Sequence, residues 1–130
     1  MRQLLLTAAF WALTAVPALA QDPVKVDPKH YKVELENERV RVLRITYGPG
    51  EKSVMHEHPG SVAVFLTDGQ VKFTLPDGKT QLTPAKAGSA VWTAAGKHLP
   101  ENTGDAGMDV IVTELKGKTA KPAAKAAAKK

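Results

Sequence analysis

The chain contains no cysteine. That absence excludes structural disulfides, thiolate metal ligands, cysteine nucleophiles and lipid attachment through an N-terminal cysteine. It also has no phosphate-binding loop, no serine in a nucleophile-elbow context and no paired carboxylates, so the usual hydrolase and nucleotide-binding signatures are missing. No segment before residue 118 carries the 3.6-residue periodicity of an amphipathic helix. Only one long apolar run exists. It occupies residues 4–13, behind Arg2 and ahead of Pro17 and Ala18-Leu19-Ala20.

That run is shorter than the roughly 20 residues a spanning helix needs. A positive charge, an apolar stretch and small residues two apart before Gln21 form the pattern of a cleavable signal peptide over residues 1–20. The expectation is an exported protein, periplasmic or secreted, that begins at Gln21 and has no membrane span once the leader is removed.

The other end is equally distinctive. Residues 118–130 contain only Lys, Ala, Thr and Pro, with no large apolar side chain to offset the entropy of ordering. They are expected to form a disordered tail, leaving residues 21–117 as one domain. The net charge of +5 belongs largely to these flanks. Setting aside Arg2 and the five lysines of the tail, 12 basic residues face 13 acidic ones. A near-neutral domain is not the footprint of specific nucleic-acid binding, which needs basic clusters on the fold itself.

Within residues 21–117 the periodicity is that of strands. Tyr31, Val33 and Leu35 alternate with polar residues, and residues 40–47 nearly do, the doubled pair Val42-Leu43 suggesting a bulge. Further runs lie at residues 62–66, 71–75, 90–93 and 108–115, separated by turn sequences at residues 47–50, 68–69, 76–78 and 102–105. Short strands at this spacing predict an all-β sandwich or barrel.

Histidine placement is the most informative chemistry. His56 and His58 are two apart, so on a strand they share a face on which both imidazoles can approach one cation, with Glu57 turned away. Alone, this pattern also fits exposed or hydrogen-bonded histidines. His98 opens a second polar segment that ends at Asn102, and His30 stands apart near residue 21.

With their surroundings these residues resemble the cupin superfamily, specifically its small single-domain exported bacterial members. Gly50, His56, His58 and Gly69 fit the first cupin motif, in which a glutamate is replaced here by Val62. Gly88, Gly96, His98 and Asn102 fit the second, with Ala94 in the place of its proline. The resemblance implies a cupin-type antiparallel jelly-roll β-barrel, with His56, His58 and His98 carried over as ligands of one divalent metal ion: Fe, Zn, Mn, Ni or Cu.

Val62 has the same sequence parity as His56 and His58, so an apolar side chain is expected in the pocket where the family's carboxylate would be. His30 lies outside both motifs and is expected to leave the metal site unaffected. Glu57 and Glu101 are expected to be solvated, and Asn102 to form a turn. Arg39, Arg41 and Arg44 are expected on an exposed strand face. Tyr47, Phe65, Phe73 and Trp92 are expected in the core or barrel wall.

Two functions stay open. One is a metal-dependent enzyme, dioxygenase-like, lyase-like or isomerase-like, acting on a small molecule. The other is a non-catalytic periplasmic module that binds or senses a small ligand. The resemblance adds the expectation of a homodimer.

Overall fold

The computed structural model describes residues 21–117. The expected signal peptide and basic tail both lie outside the described residues. One short helix, α1 (Pro23–Val26), precedes nine strands: β1 (Tyr31–Glu36), β2 (Val40–Tyr47), β3 (His56–His58), β4 (Ser61–Phe65), β5 (Gly69–Thr74), β6 (Thr80–Ala85), β7 (Ala90–Thr93), β8 (Gly96–Asn102) and β9 (Met108–Leu115). Asp22 caps α1 by accepting the amide of Val24 at 2.9 Å, and Pro23 suits the first turn of a helix because its missing N–H would be unpaired there anyway. Among the described residues no helix is long and apolar enough to cross a membrane.

The strands form two antiparallel sheets, ordered β1-β2-β9-β4-β7 and β3-β8-β5-β6, packed as a jelly-roll barrel. Alternation dictates the inner face of the first sheet. Leu43, Ile45 and Tyr47 on β2 stand beside Val112, Val110 and Met108 on β9, with Ala63 and Phe65 on β4 beyond them. These are most of the buried apolar residues, and the second sheet adds Val71 and Ala85. Leu43 is fully buried, so Leu43→Ala should cost about 2–5 kcal/mol. The second sheet presents its histidines to this apolar face.

Turn chemistry places the loops as the sequence suggests. Pro49 and Gly50 occupy the centre of a turn closed by Glu51 N–H to Gly48 C=O at 3.2 Å, and Gly50 has φ of 69°. Asn102 is wholly buried. Its amide donates to Gly48 C=O at 3.0 Å and Ala106 C=O at 2.8 Å, while its Oδ1 accepts the Gly104 N–H at 3.0 Å.

Three expectations need correction. The bulge lies on β1 rather than β2: Val33 pairs with Leu43 and Leu35 with Val42, so Glu34 is the extra residue opposite the doubled pair. Val62 faces away from the barrel interior, because the Pro59-Gly60 break between β3 and β4 shifts the alternation by one. Ser61, Ala63 and Phe65 turn inward, while Val62 stands beside Trp92 and Thr113 on the outer face. Trp92 is therefore no core residue but is 62% exposed, lying over Gly60, where an added Cβ would come within 3.0 Å of its ring.

A candidate metal centre

His56 and His98 are direct cross-strand partners on β3 and β8, and His58 follows two residues on, opposite Gly96. Directly opposed and alternate residues share a face, and Gly96 leaves the space beside His58 free of a side chain. One coordinating atom from each of the three imidazoles lies within 4.8 Å of those of the other two. Ring centroids are 4.8 Å apart for His56 and His58, 5.0 Å for His56 and His98, and 5.3 Å for His58 and His98.

Hydrogen bonds behind the rings orient two of them. His56 Nδ1–H donates to Val54 C=O at 2.8 Å, and His58 Nδ1–H donates to Glu114 Oε1 at 2.6 Å. Both acceptors lack a proton to give, so each Nδ1 must be the protonated nitrogen. The two Nε2 atoms then face each other at 3.1 Å. Lone pairs at that distance repel unless a proton or a metal cation sits between them. Burial, and next the electrostatic effect of His58, hold the His56 pKa down to about 4. Burial, then His58 and His56, hold His98 down to about 3. His56 and His98 are thus neutral at pH 7, the form a metal requires.

Glu114 was not singled out in the sequence, though a signal existed: it shares the parity of Val110 and Val112 and so falls on the inner face of β9. It is 2% exposed. Burial pushes its carboxyl pKa up, but hydrogen bonds from His58 and Arg41 outweigh this and hold it below the usual carboxylate range. Arg41, expected on an exposed face, instead shares the inward parity of Leu43. Its Nε donates to Glu114 Oε2 and its Nη1 to Asp22 Oδ2, each at 2.6 Å. Arg44 does lie on the outer face, paired with Asp109, and Arg39 is exposed. Glu101 points outward and pairs with Lys72 at 2.6 Å rather than standing free in solvent.

A second set of supports lies behind His56. Ser53 Oγ is 3.3 Å from His56 Nδ1 and donates to Asp27 Oδ2 at 2.6 Å. His30 lies against the same carboxylate, its Nδ1 2.7 Å from Asp27 Oδ2, with its ring stacked on Tyr47 at 4.5 Å. His30 is buried, so it supports the site through Asp27 although it stands far from the motifs. On the cluster's other side, the Tyr31 hydroxyl lies 3.1 Å from His56 Nε2 and 2.6 Å from the Tyr47 hydroxyl.

The cluster opens into a cavity of about 70 Å³ that is partly open to solvent. His58, His98, Tyr31 and Tyr47 share its wall with Phe65, Phe73 and several aliphatic side chains. No Asp, Glu, Lys or Arg is among its lining residues. Concave, mostly apolar space with a few convergent polar groups is the usual form of a small-molecule site.

Residues 43–114 match the family model of the cupin domain. No curated protein matches the chain. Among solved structures, a cupin domain from Bordetella pertussis Tohama I is similar at 26% identity and a TM-score of 0.63, over 67% of this chain and 92% of that one. An RmlC-like cupin family protein with a double-stranded β-helix fold, from Methanocaldococcus jannaschii, aligns at 20% identity and a TM-score of 0.52, over 68% and 83% of the two chains. A double-stranded β-helix domain from Klebsiella pneumoniae aligns at 21% identity and a TM-score of 0.52, over 68% and 84%. The last two likenesses are of fold.

Proposed function

This chain belongs to the cupin family, and we propose that its barrel holds one divalent metal ion through His56, His58 and His98, with coordination positions left for a small molecule. One observation carries the reading. Two imidazoles are anchored by their Nδ1 protons so that their Nε2 atoms converge at 3.1 Å, with a third imidazole alongside. Three imidazoles suit zinc, iron, nickel and copper, and the oxygen groups nearby do not exclude manganese. The carboxylate missing from the first motif has a counterpart in Glu114, which acts through the His58 ring. A carboxylate hydrogen-bonded to a ligating histidine raises that ligand's basicity and fixes its tautomer.

Bound there, a metal would supply Lewis-acid activation of an oxygen donor and, where redox-active, electron transfer. The chain's own residues would orient the ligand, hold it in an apolar cavity and exclude water. This supports a dioxygenase-like or isomerase-like enzyme. A second reading, a non-catalytic module that binds or senses a small ligand, is favoured by the lack of any carboxylate or lysine among the cavity-lining residues to serve as a general base. The leader pattern in residues 1–20 supports placing either activity outside the cytoplasm.

The test is elemental analysis of protein purified without a histidine tag, alongside His56→Ala, His58→Ala and His98→Ala. One equivalent of metal, lost in each variant, is the expected result. A redox metal would favour the enzyme. Equal metal content in all four proteins would overturn the site.

A further inference from the structure

The cavity in front of the histidines also constrains what enters it. The Tyr31 hydroxyl lies 2.6 Å from the Tyr47 hydroxyl and 3.1 Å from His56 Nε2, with the Ser53 side chain also beside it. Its environment is closed, since Tyr31 is 2% exposed. Either phenol can donate in the Tyr31–Tyr47 bond, and Ser53 lies close to Tyr47 as a further partner; where Tyr47 donates, the Tyr31 proton is left for His56. Tyr31 then points its own proton at the lone pair of His56. A metal held by His56 Nε2 would occupy that lone pair, and the Tyr31 proton would lose His56 as its acceptor. A buried donor in that state costs about as much as a lost hydrogen bond. An acceptor atom bound to the same metal would restore it, and the phenol stands beside the ligating nitrogen where such an atom would be.

Charge narrows the class further. The cavity wall includes aromatic and aliphatic side chains, two phenols, Ser61, Thr93 and imidazoles, with no formally charged group other than histidine. A cationic substituent on a ligand, or a second anionic one, would be buried there without a partner. A single negative charge has one place to go: the metal, with the Tyr31 hydroxyl donating to it.

We infer that the site takes a small, singly charged oxygen anion with an apolar body, such as a carboxylate, enolate or phenolate, and that Tyr31, backed by Tyr47, selects it by donating a hydrogen bond to the metal-bound oxygen. This rests on the metal reading above. The experiment therefore reads metal and ligand separately. The full chain is loaded with cobalt(II), whose visible spectrum reports its ligand set, and titrated with butyrate or succinate, four-carbon probes with one and two carboxylates.

Butyrate should shift the spectrum saturably, and succinate should bind at least roughly tenfold more weakly. Tyr31→Phe should keep the cobalt affinity yet weaken butyrate by roughly tenfold or more, the weight of one hydrogen bond to a charged group. A cobalt spectrum unmoved by butyrate, equal binding of succinate, or unchanged butyrate affinity in Tyr31→Phe would each overturn the inference and leave the metal site standing. The comparison of the two probes on the unmodified protein holds even where Tyr31→Phe fails to fold. Failure to bind cobalt at all would overturn the metal reading, and this inference with it.

Discussion

His58 on β3 donates its Nδ1 proton to Glu114 on β9 at 2.6 Å, joining the two sheets behind the histidine cluster. Glu114 is held in turn by Arg41 on β2, and Arg41 by Asp22 beside α1. The row therefore ties the start of the domain, its second strand and its last strand to one candidate ligand. Arg41 and Glu114 are direct cross-strand partners, as are Glu114 and Ser61. In the proposed site the carboxylate would act through the imidazole rather than on the metal.

Glu114→Gln keeps the size and an oxygen acceptor for His58 but removes the charge. Metal affinity should fall roughly 10–100-fold, the usual cost of losing the partner behind a ligating histidine. Competition with a chromophoric chelator measures it. Affinity equal to wild type would mean that Glu114 serves only the pairing of the sheets, a role that melting temperature would then report alone.

Val62→Glu tests the orientation of β4. Val62 lies on the outer face, half-buried beside Trp92, so a carboxylate there should leave metal affinity within about twofold. Some loss of stability, about 1 kcal/mol, is expected from disturbing the Trp92 contact. Tighter metal binding would put position 62 inside the barrel and contradict the shift of alternation at Pro59-Gly60.

His30→Ala should be costly even though His30 is no ligand. Its ring is buried between Tyr47 and Asp27, and removal leaves a cavity and an Asp27 carboxylate with Ser53 as its remaining side-chain partner. A loss of about 2–4 kcal/mol is expected, from cavity and lost hydrogen bonds together. Denaturant titration checks this, and metal stoichiometry in the folded variant should stay at one. Unchanged stability would return His30 to a peripheral role.

Much of this barrel was legible because burial and alternation coincide. The strands read at residues 40–47 and 108–115 are β2 and β9 to the residue, and the three histidines meet as the motif spacing implied. What was missed has physical causes. β6 contains Pro84 and no inward apolar run, tolerable because β6 is an edge strand that pairs only with β5. β8 opens on Gly96 and contains Pro100, both poor strand formers, yet it lies between β3 and β5. Val62 was misplaced because parity was counted through a break that resets it. Arg41 was expected on an exposed face and Glu114 was not singled out, although each continues the inward alternation of its own strand. A charge at an inward position on two adjacent strands marks a buried pair.

The last prediction concerns acid stability. In unfolded chains a histidine titrates near 6.5, whereas burial, then neighbouring imidazoles, hold His56 to about 4 and His98 to about 3 in the metal-free fold. Above pH 6.5 both states are neutral and these groups add nothing to the pH dependence. As pH falls below 6.5 the unfolded chain takes up protons that the folded site refuses, so equilibrium shifts towards unfolding, and the loss stops growing once the folded rings protonate near 4 and 3. Glu114 acts in the same direction at lower pH: its depressed pKa stabilises the fold above the normal carboxylate range and that share is lost as pH drops through the folded value. Metal-free protein should therefore hold a flat melting temperature at neutral pH and lose it progressively between about pH 6.5 and 4. Metal-loaded protein should start higher and fall more steeply, because each proton taken up also displaces a ligand. His98→Ala should flatten the metal-free profile by removing one of the refusing groups. A melting temperature that rises on acidification from pH 6.5 to 5 would show that the cluster prefers protonated rings, and would replace the metal site with a proton-holding histidine network.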